Sequence, residues 1–211
     1  MLESTRDVTA RRASEQRERR LMSELTHRVR NILAVIQAIA RHTLRTDVPK
    51  EQLLDRFEGR LSALAGAHTL LVQSEWAGAD LRELARQQLG AVASDTPERV
   101  RIEGEAILLP PDIATPFGLV LHELATNAAK HGALSNSAGN VTADWMTAGR
   151  NNDRSLKLNW RGAGGPAVRK SGAQGFGSTL IDTAIPGAQV KREFFPDGFA
   201  CTIEVPLPEG S

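Results

Sequence analysis

The chain has 211 residues, 41% of them apolar and 24% charged, with a formal net charge of +1. That length holds one ordinary core, or a small module plus a domain. The near-neutral balance supplies no broad basic field for nucleic acid and no acidic field for basic partners.

The one cysteine, Cys201, excludes an internal disulfide framework and a cysteine metal cluster, and it fits a reducing compartment. It lies in the alternating run "FACTIEVPL", where a buried strand thiol is expected. No apolar run approaches the roughly 20 residues needed to cross a bilayer. The start, "MLESTRDVTARRASEQRERRL", is charged throughout and has no apolar signal core. The expectation is a soluble cytoplasmic protein, or a soluble piece of a larger one, with neither nucleic acid nor membrane as partner.

From about Ala10 to Gln73 the pattern is helical. Leu21, Leu25, Val29, Ile32, Val35, Ile36, Ile39 and Leu44 recur every three to four residues. The pattern breaks at "RTDVPKEQ", where Asp47 suits a cap, Pro49 a first turn and Glu51 the positive end of the helix dipole. A second helix follows, with Leu53, Leu54, Phe57, Leu61, Leu64, Ala65, His68 and Leu71 on one face. A short link between two long amphipathic helices favours an antiparallel hairpin. Its open apolar face favours a four-helix bundle on dimerisation.

After "QSEWAGAD" the texture changes, which places a boundary near residues 74–79. "ADLRELARQQLGAVA" reads as a helix and "RVRIEG" as a strand. "PPDIATPFGLVLHELATNAAKH" is a helix with a proline start, and Gly132 stands where it stops. "NVTADWMT", "SLKLNW", "AQVKREFF" and "FACTIEVPL" alternate as strands, with "GSTLIDTAI" a helix among them. Mixed strands and helices of this kind predict an α+β sandwich.

Within "LVLHELATNAAKHGALS", Glu123, Asn127 and Lys130 share one helical face, with His131 beside it at the end. A carboxylate and an amide oxygen one turn apart suit hydrated Mg²⁺, and a lysine one turn on suits a phosphate. The same spacing also fits the polar face of an ordinary amphipathic helix. In "GAGGPAV" and "GAQGFGSTLI" the glycines let backbone N–H groups approach a phosphate, and Gly177 precedes a helix N-terminus. Turn geometry alone would explain either segment. His27 carries an imidazole that titrates near neutrality and can accept a phosphoryl group, with Arg28 beside it and Asn31 on the next turn. A surface or packed role is the alternative for His27, as for His42, His68 and His122. The five histidines have no zinc-ligand spacing.

Together these segments resemble the HWE subgroup of bacterial sensor histidine kinases. "LTHRVRNILAVIQAIA" resembles its phosphoacceptor box, with His27 in the acceptor position. "LHELATNAAKHGALS" is similar to its N box and includes His122, the histidine of the group's name. "NWRGAGGPAV" resembles its W-x-E glycine box at Trp160 and at "GGP", and "GFGSTLI" its second glycine box. "AHTLLVQSEWAGADLREL" is similar to the joint between helical hairpin and catalytic domain. The likeness runs from about residue 18 to residue 206.

The resemblance implies three segments: a sensor-tail-like extension at 1–17, a dimerisation and histidine phosphotransfer hairpin at 18–75, and a Bergerat-type ATP-binding α/β sandwich at 76–211. It implies autophosphorylation of His27 from Mg-ATP and transfer to an aspartate on a response-regulator receiver domain. Asn127 would hold Mg²⁺, Glu123 would assist the metal or the acceptor proton, and Lys130 and His131 would approach the phosphates. Trp160, Gly162, Gly164, Gly165, Gly175, Gly177, Ser178 and Thr179 would line the ATP site and its lid. "RDVTARR" resembles the tail after a PAS or LOV domain, which implies a separate or missing sensor. The receiver is expected to dock on the hairpin near His27, at Arg28, Arg30, Asn31 and Ala34.

The chain departs from the pattern at Gly162, where the family has the W-x-E glutamate. An acid there is expected to accept a hydrogen bond from the adenine amino group. Losing it costs about 1.5–3 kcal/mol, roughly ten- to a hundredfold in affinity. The alternative reading is therefore a phosphotransfer or receiver-phosphatase module with a weakened ATP site. The short link "PGAQVKREFF" after Ile185 is expected to thin the floor near that site.

Overall fold

The computed structural model describes residues 16, 22–23, 26, 29–44, 49–94, 96–149, 154–166, 180–181, 184–185 and 187–208. The chain divides into two compact units, Met1–Pro49 and Lys50–Ser211.

In the first unit residues 29–44 form helix α1. The Thr43 hydroxyl donates back to the Ile39 carbonyl at 2.8 Å, so a residue that would otherwise compete with the helix is tied into it. Val29 and Leu44, both on the expected apolar stripe, are exposed.

The second unit opens with α2, Lys50–Gln73. It begins at Lys50, so Pro49 precedes the helix instead of standing in its first turn as the sequence suggests. Helix α2 ends in a tight turn in which Glu75 and Trp76 both take positive φ, 51° and 66°. Trp76 packs edge-on against His68 of α2, with ring centroids 5.7 Å apart, and joins the core. This turn falls inside the boundary zone expected from the sequence, although α2 itself clusters with the sheet unit.

Next come β1, Ala79–Asp80, and α3, Leu81–Gly90. The Asp80 carboxylate caps α3 by accepting from the Glu83 N–H at 2.9 Å. Strand β2 is Val100–Gly104, and β3 is Leu108–Leu109, which pairs antiparallel with β1. Two-residue strands have no periodicity, so the β1–β3 pair is invisible in the sequence.

Helix α4 spans Pro111–His131, with proline at its first turn. Gly132 stops it as expected, although with φ −119° it does so without the left-handed geometry of a common glycine stop. Proximity is the physical reason for a small residue: a Cβ on Gly132 would lie 3.0 Å from the Ala128 Cα.

The remaining strands are β4 (Asn140–Ala148), β5 (Ser155–Ala163), β6 (Gln189–Phe195) and β7 (Gly198–Pro206). They form one five-stranded sheet in the order β2-β4-β5-β7-β6, with β2–β4 parallel and the other pairs antiparallel. Strand β5 runs three residues past the "SLKLNW" pattern and so carries Gly162 into the sheet.

One face of the sheet is buried. Val141, Ala143 and Trp145 alternate on β4, Leu156, Leu158 and Trp160 on β5, and Cys201, Ile203 and Val205 on β7. They share a core with Leu84, Leu89, Phe117, Val120, Leu121 and Leu124 of α3 and α4, and with Ala67 and Leu71 of α2. The result is the two-layer α/β sandwich expected, with Cys201 a buried strand thiol. Leu180 and Ile181 are helical; the rest of the expected "GSTLIDTAI" helix lies outside the described residues. Among the described residues no helix is long and apolar enough to cross a membrane.

Candidate functional site

Helix α4 carries Glu123, Asn127, Lys130 and His131, and burial sorts that motif. Phe117, Leu119, Val120, Leu121, Leu124, Ala125 and Ala128 are buried. Asn127, Lys130 and His131 are exposed toward the C-terminal end, where Lys130 and His131 also suit the negative end of the helix dipole.

Glu123 parts from them. It is only 6% exposed and faces α2, where Arg60 is 4% exposed. The Arg60 Nε–H donates to Glu123 Oε1 at 2.7 Å and its Nη2 to Oε2 at 3.3 Å, a forked pair that engages both carboxylate oxygens. The helices approach closely on either side of this pair. A Cβ on Gly59 would lie 3.1 Å from His122 Nε2, and one on Gly118 would lie 3.3 Å from the Ala67 Cβ. His122 is partly buried on this seam, 3.5 Å from the Thr126 hydroxyl. Burial holds its imidazole below the ordinary 6.5, against the upward pull of the Glu123 carboxylate.

Beyond His131 the chain makes a 3-10 turn, Ala133–Ser135, and a loop to Gly139. Arg99 ties this loop from outside. Its Nε–H donates to the Gly139 carbonyl at 2.7 Å, and its Nη2 donates to the carbonyls of Ala133 (3.1 Å) and Asn136. The Asn136 side chain ties it from within, accepting from the N–H groups of Ala138 and Gly139 and donating to the Gly164 carbonyl at 3.1 Å.

The first glycine segment packs against this loop. A Cβ on Gly165 would sit 2.7 Å from the Ala133 Cα, and one on Gly164, whose φ is +72°, would sit 3.1 Å from the Gly139 Cα. Gly162 is buried in β5, with the Ala133 Cβ 3.1 Å from where its own would be. These glycines therefore have a structural reason of their own: backbone must pass against backbone here. Trp160, two residues earlier, is buried in the core.

The structure thus continues the exposed end of α4 into the 132–139 loop, which packs against Gly162 of β5 and against Gly164 and Gly165 just beyond it. His27, Arg28, Gly175, Gly177, Ser178 and Thr179 lie outside the described residues. Asn31 is an exposed position on α1, in the other unit.

Three residues escape the sequence reading. Arg60 had a signal: it falls three residues after Phe57 and four before Leu64, so a charge stands on the apolar face of α2. Arg99 and Asn136 act through loop carbonyls and N–H groups, for which spacing gives no sign.

The donor set can be tested against Mg²⁺. Magnesium held with a nucleotide keeps waters and phosphate oxygens and needs only one or two protein oxygens. The exposed Asn127 amide oxygen fits that demand. Glu123 does not fit it while Arg60 holds both its oxygens. Among the described residues no group of three or more His, Cys, Asp or Glu gathers as an all-protein metal site.

Residues 24–106 match the family model for HWE histidine kinases. A blue-light-activated histidine kinase of Brucella anthropi is 33% identical over 204 residues, which cover 95% of this chain. Its counterpart in Brucella ovis is 31% identical over the same length. The chain spans 42% of the length of these curated relatives. In fold it is similar to the Erythrobacter litoralis EL346 blue-light activated histidine kinase, with a TM-score of 0.60 at 20% identity over 89% of this chain and 59% of that one. The histidine kinase domain of the same protein gives a TM-score of 0.54 at 15% identity, covering 84% of this chain and 94% of that one. The sandwich described above is therefore the fold of a histidine kinase domain, and over residues 24–106 the chain is similar to the HWE histidine kinases.

Proposed function

We propose that the chain is a two-component histidine kinase core that phosphorylates His27 from Mg-ATP and passes the group to an aspartate of a receiver domain. The observation that carries the reading is the exposed Asn127, Lys130 and His131 end of α4, abutting the loop that meets the glycine box, in a chain similar to this family.

In the proposed step a lone-pair ring nitrogen of His27 forms a bond to the γ-phosphorus. The bond from that phosphorus to the β–γ bridging oxygen breaks, and ADP leaves with the electron pair. The remaining imidazolium N–H proton passes to a base, for which Glu123 is the candidate. Catalysis of this kind is mostly positioning and charge neutralisation. Magnesium, when bound, neutralises phosphate charge. Asn127 would hold it, and Lys130 and His131 would meet the phosphate oxygens. Gly162, Gly164 and Gly165 would shape the nucleotide side through the Ala133 turn, and Gly175, Gly177, Ser178 and Thr179 would supply the lid. The proposed modules are 18–75 for phosphotransfer and dimerisation and 76–211 for ATP binding, with 1–17 as a sensor-linked extension. Exposed Val29, Leu33 and Leu44 on α1 support pairing with a second copy, which would cover them.

Gly162 favours a second reading, a relay or receiver phosphatase with a weakened ATP site, because this buried position offers adenine no acid. Radiolabelled ATP separates the two. The kinase gives acid-labile, base-stable label that is lost in His27→Ala and in Asn127→Ala. The relay gives no label from ATP but takes label from a phosphorylated receiver, and that result would overturn the first reading.

A further inference from the structure

The geometry points to Arg60 as a brake on the proposed site: while its guanidinium holds both oxygens of Glu123, that carboxylate cannot take up the acceptor proton, and a shift of α2 away from α4 releases it. The inference rests on the proposed kinase reading and adds to it a residue from outside the expected site.

Three observations carry it. The fork from Arg60 occupies Oε1 at 2.7 Å and Oε2 at 3.3 Å, and both partners are nearly sealed from solvent, so neither oxygen faces an incoming proton donor. A general base must come within hydrogen-bond reach of the proton it takes. Glu123 is also separated from its motif neighbours, since Asn127, Lys130 and His131 one to two turns on are exposed while it points at α2. Finally, the helices meet at a close seam. Gly59 lies under the His122 ring and Gly118 lies against Leu84 and Ala67, so the two glycines set how closely α2 lies on α4 and hence the length of the fork. Helix shifts at switching interfaces are about 1–2 Å. A separation of that size, directed along the fork, takes contacts of 2.7 and 3.3 Å beyond hydrogen-bond range.

A brake and a brace make opposite predictions. If Arg60 braces Glu123 in its working position, removing the guanidinium slows the reaction. If Arg60 restrains it, removal speeds the reaction.

The test measures the initial rate of labelling from radiolabelled Mg-ATP in the full chain, comparing wild type, Arg60→Met, Arg60→Lys, Glu123→Gln and the Arg60→Met/Glu123→Gln double variant. A fluorescent nucleotide reports binding, and thermal melting reports folding. The expected result is a rate increase in Arg60→Met of roughly 5- to 150-fold, the range of ordinary site coupling. Nucleotide affinity should stay unchanged, Arg60→Lys should rise less, and the double variant should be as slow as Glu123→Gln alone. Arg60→Lys keeps the charge and loses the fork, so it serves if Arg60→Met does not fold. A folded Arg60→Met or Arg60→Lys that is no faster than wild type overturns the brake. If nothing is labelled although nucleotide binds, the brake fails and nucleotide binding stands. If nucleotide does not bind, the kinase reading falls and the brake falls with it.

Discussion

Glu123 and Asn127 stand one turn apart on α4, yet they inhabit different environments. Glu123 is sealed against α2 by a forked ion pair, and Asn127 is open at the end of the same helix. Four residues advance a helix by 40° beyond a full turn, and α2 covers only part of its length. Shared spacing therefore puts residues in one sector without giving them one partner. The comparison teaches that a polar motif on a helix can divide its work, with one member bound into the scaffold and the others left available to a ligand.

The sharpest way to break this contrast is to delete each side chain in turn. Glu123→Ala leaves the Arg60 guanidinium buried without its carboxylate, a change that typically costs about 3–5 kcal/mol. Arg60→Met paired with Glu123→Leu should recover most of that loss, since a buried pair replaced by apolar groups is often neutral. Chemical denaturation of the singles and the double measures both. Asn127→Ala should leave stability within about 0.5 kcal/mol, as exposed substitutions do, while labelling from ATP disappears. A large loss of stability in Asn127→Ala would show that the two residues do not divide their roles.

Gly162→Glu probes the nucleotide side. Its Cβ would meet the Ala133 Cβ at 3.1 Å, so the turn must give by a few tenths of an ångström. If the new carboxylate reaches the adenine amino group, calorimetry with Mg-ATP should show affinity rising roughly ten- to a hundredfold. Arg99→Ala removes the donor to three loop carbonyls, and exposing or orphaning such groups costs about 1–3 kcal/mol. Faster amide exchange should appear first in residues 132–139.

The smallest effect concerns pH. Burial lowers the His122 pKa, so the folded chain prefers the neutral ring while the unfolded chain protonates near 6.5. The contribution of His122 is thus fully kept above about 6.5 and is lost as pH falls from there through the lowered folded value. His68 is lowered by burial as well and adds in the same direction. His122→Gln should flatten the stability profile between about pH 7 and 5.

Much of the fold was legible. The alternation in "NVTADWMT" and "FACTIEVPL" marks β4 and β7 because one sheet face is buried and the other solvated, which writes a period of two into the sequence. The bounds of α4 follow from Pro111 and Gly132. What stayed hidden depends on contacts distant in sequence. The β1–β3 pair joins two-residue strands nearly thirty residues apart, and Arg99 reaches three carbonyls of a loop, "GALSNSAG", whose sequence gives no sign of a distant partner. The site was half legible: the motif on α4 could be quoted from the sequence, but the division within it could not.

The sequence by itself determined the two-part texture, the likeness to histidine kinases and the polar motif on α4, because periodicity and motif spacing are local properties of the chain. Only the tertiary structure decided that Glu123 faces Arg60 and that the glycines around Gly162 close upon the Ala133 turn. Helical spacing fixes the direction in which a side chain leaves its own element. What it meets there depends on which other element packs across it and how closely their small residues let the two approach.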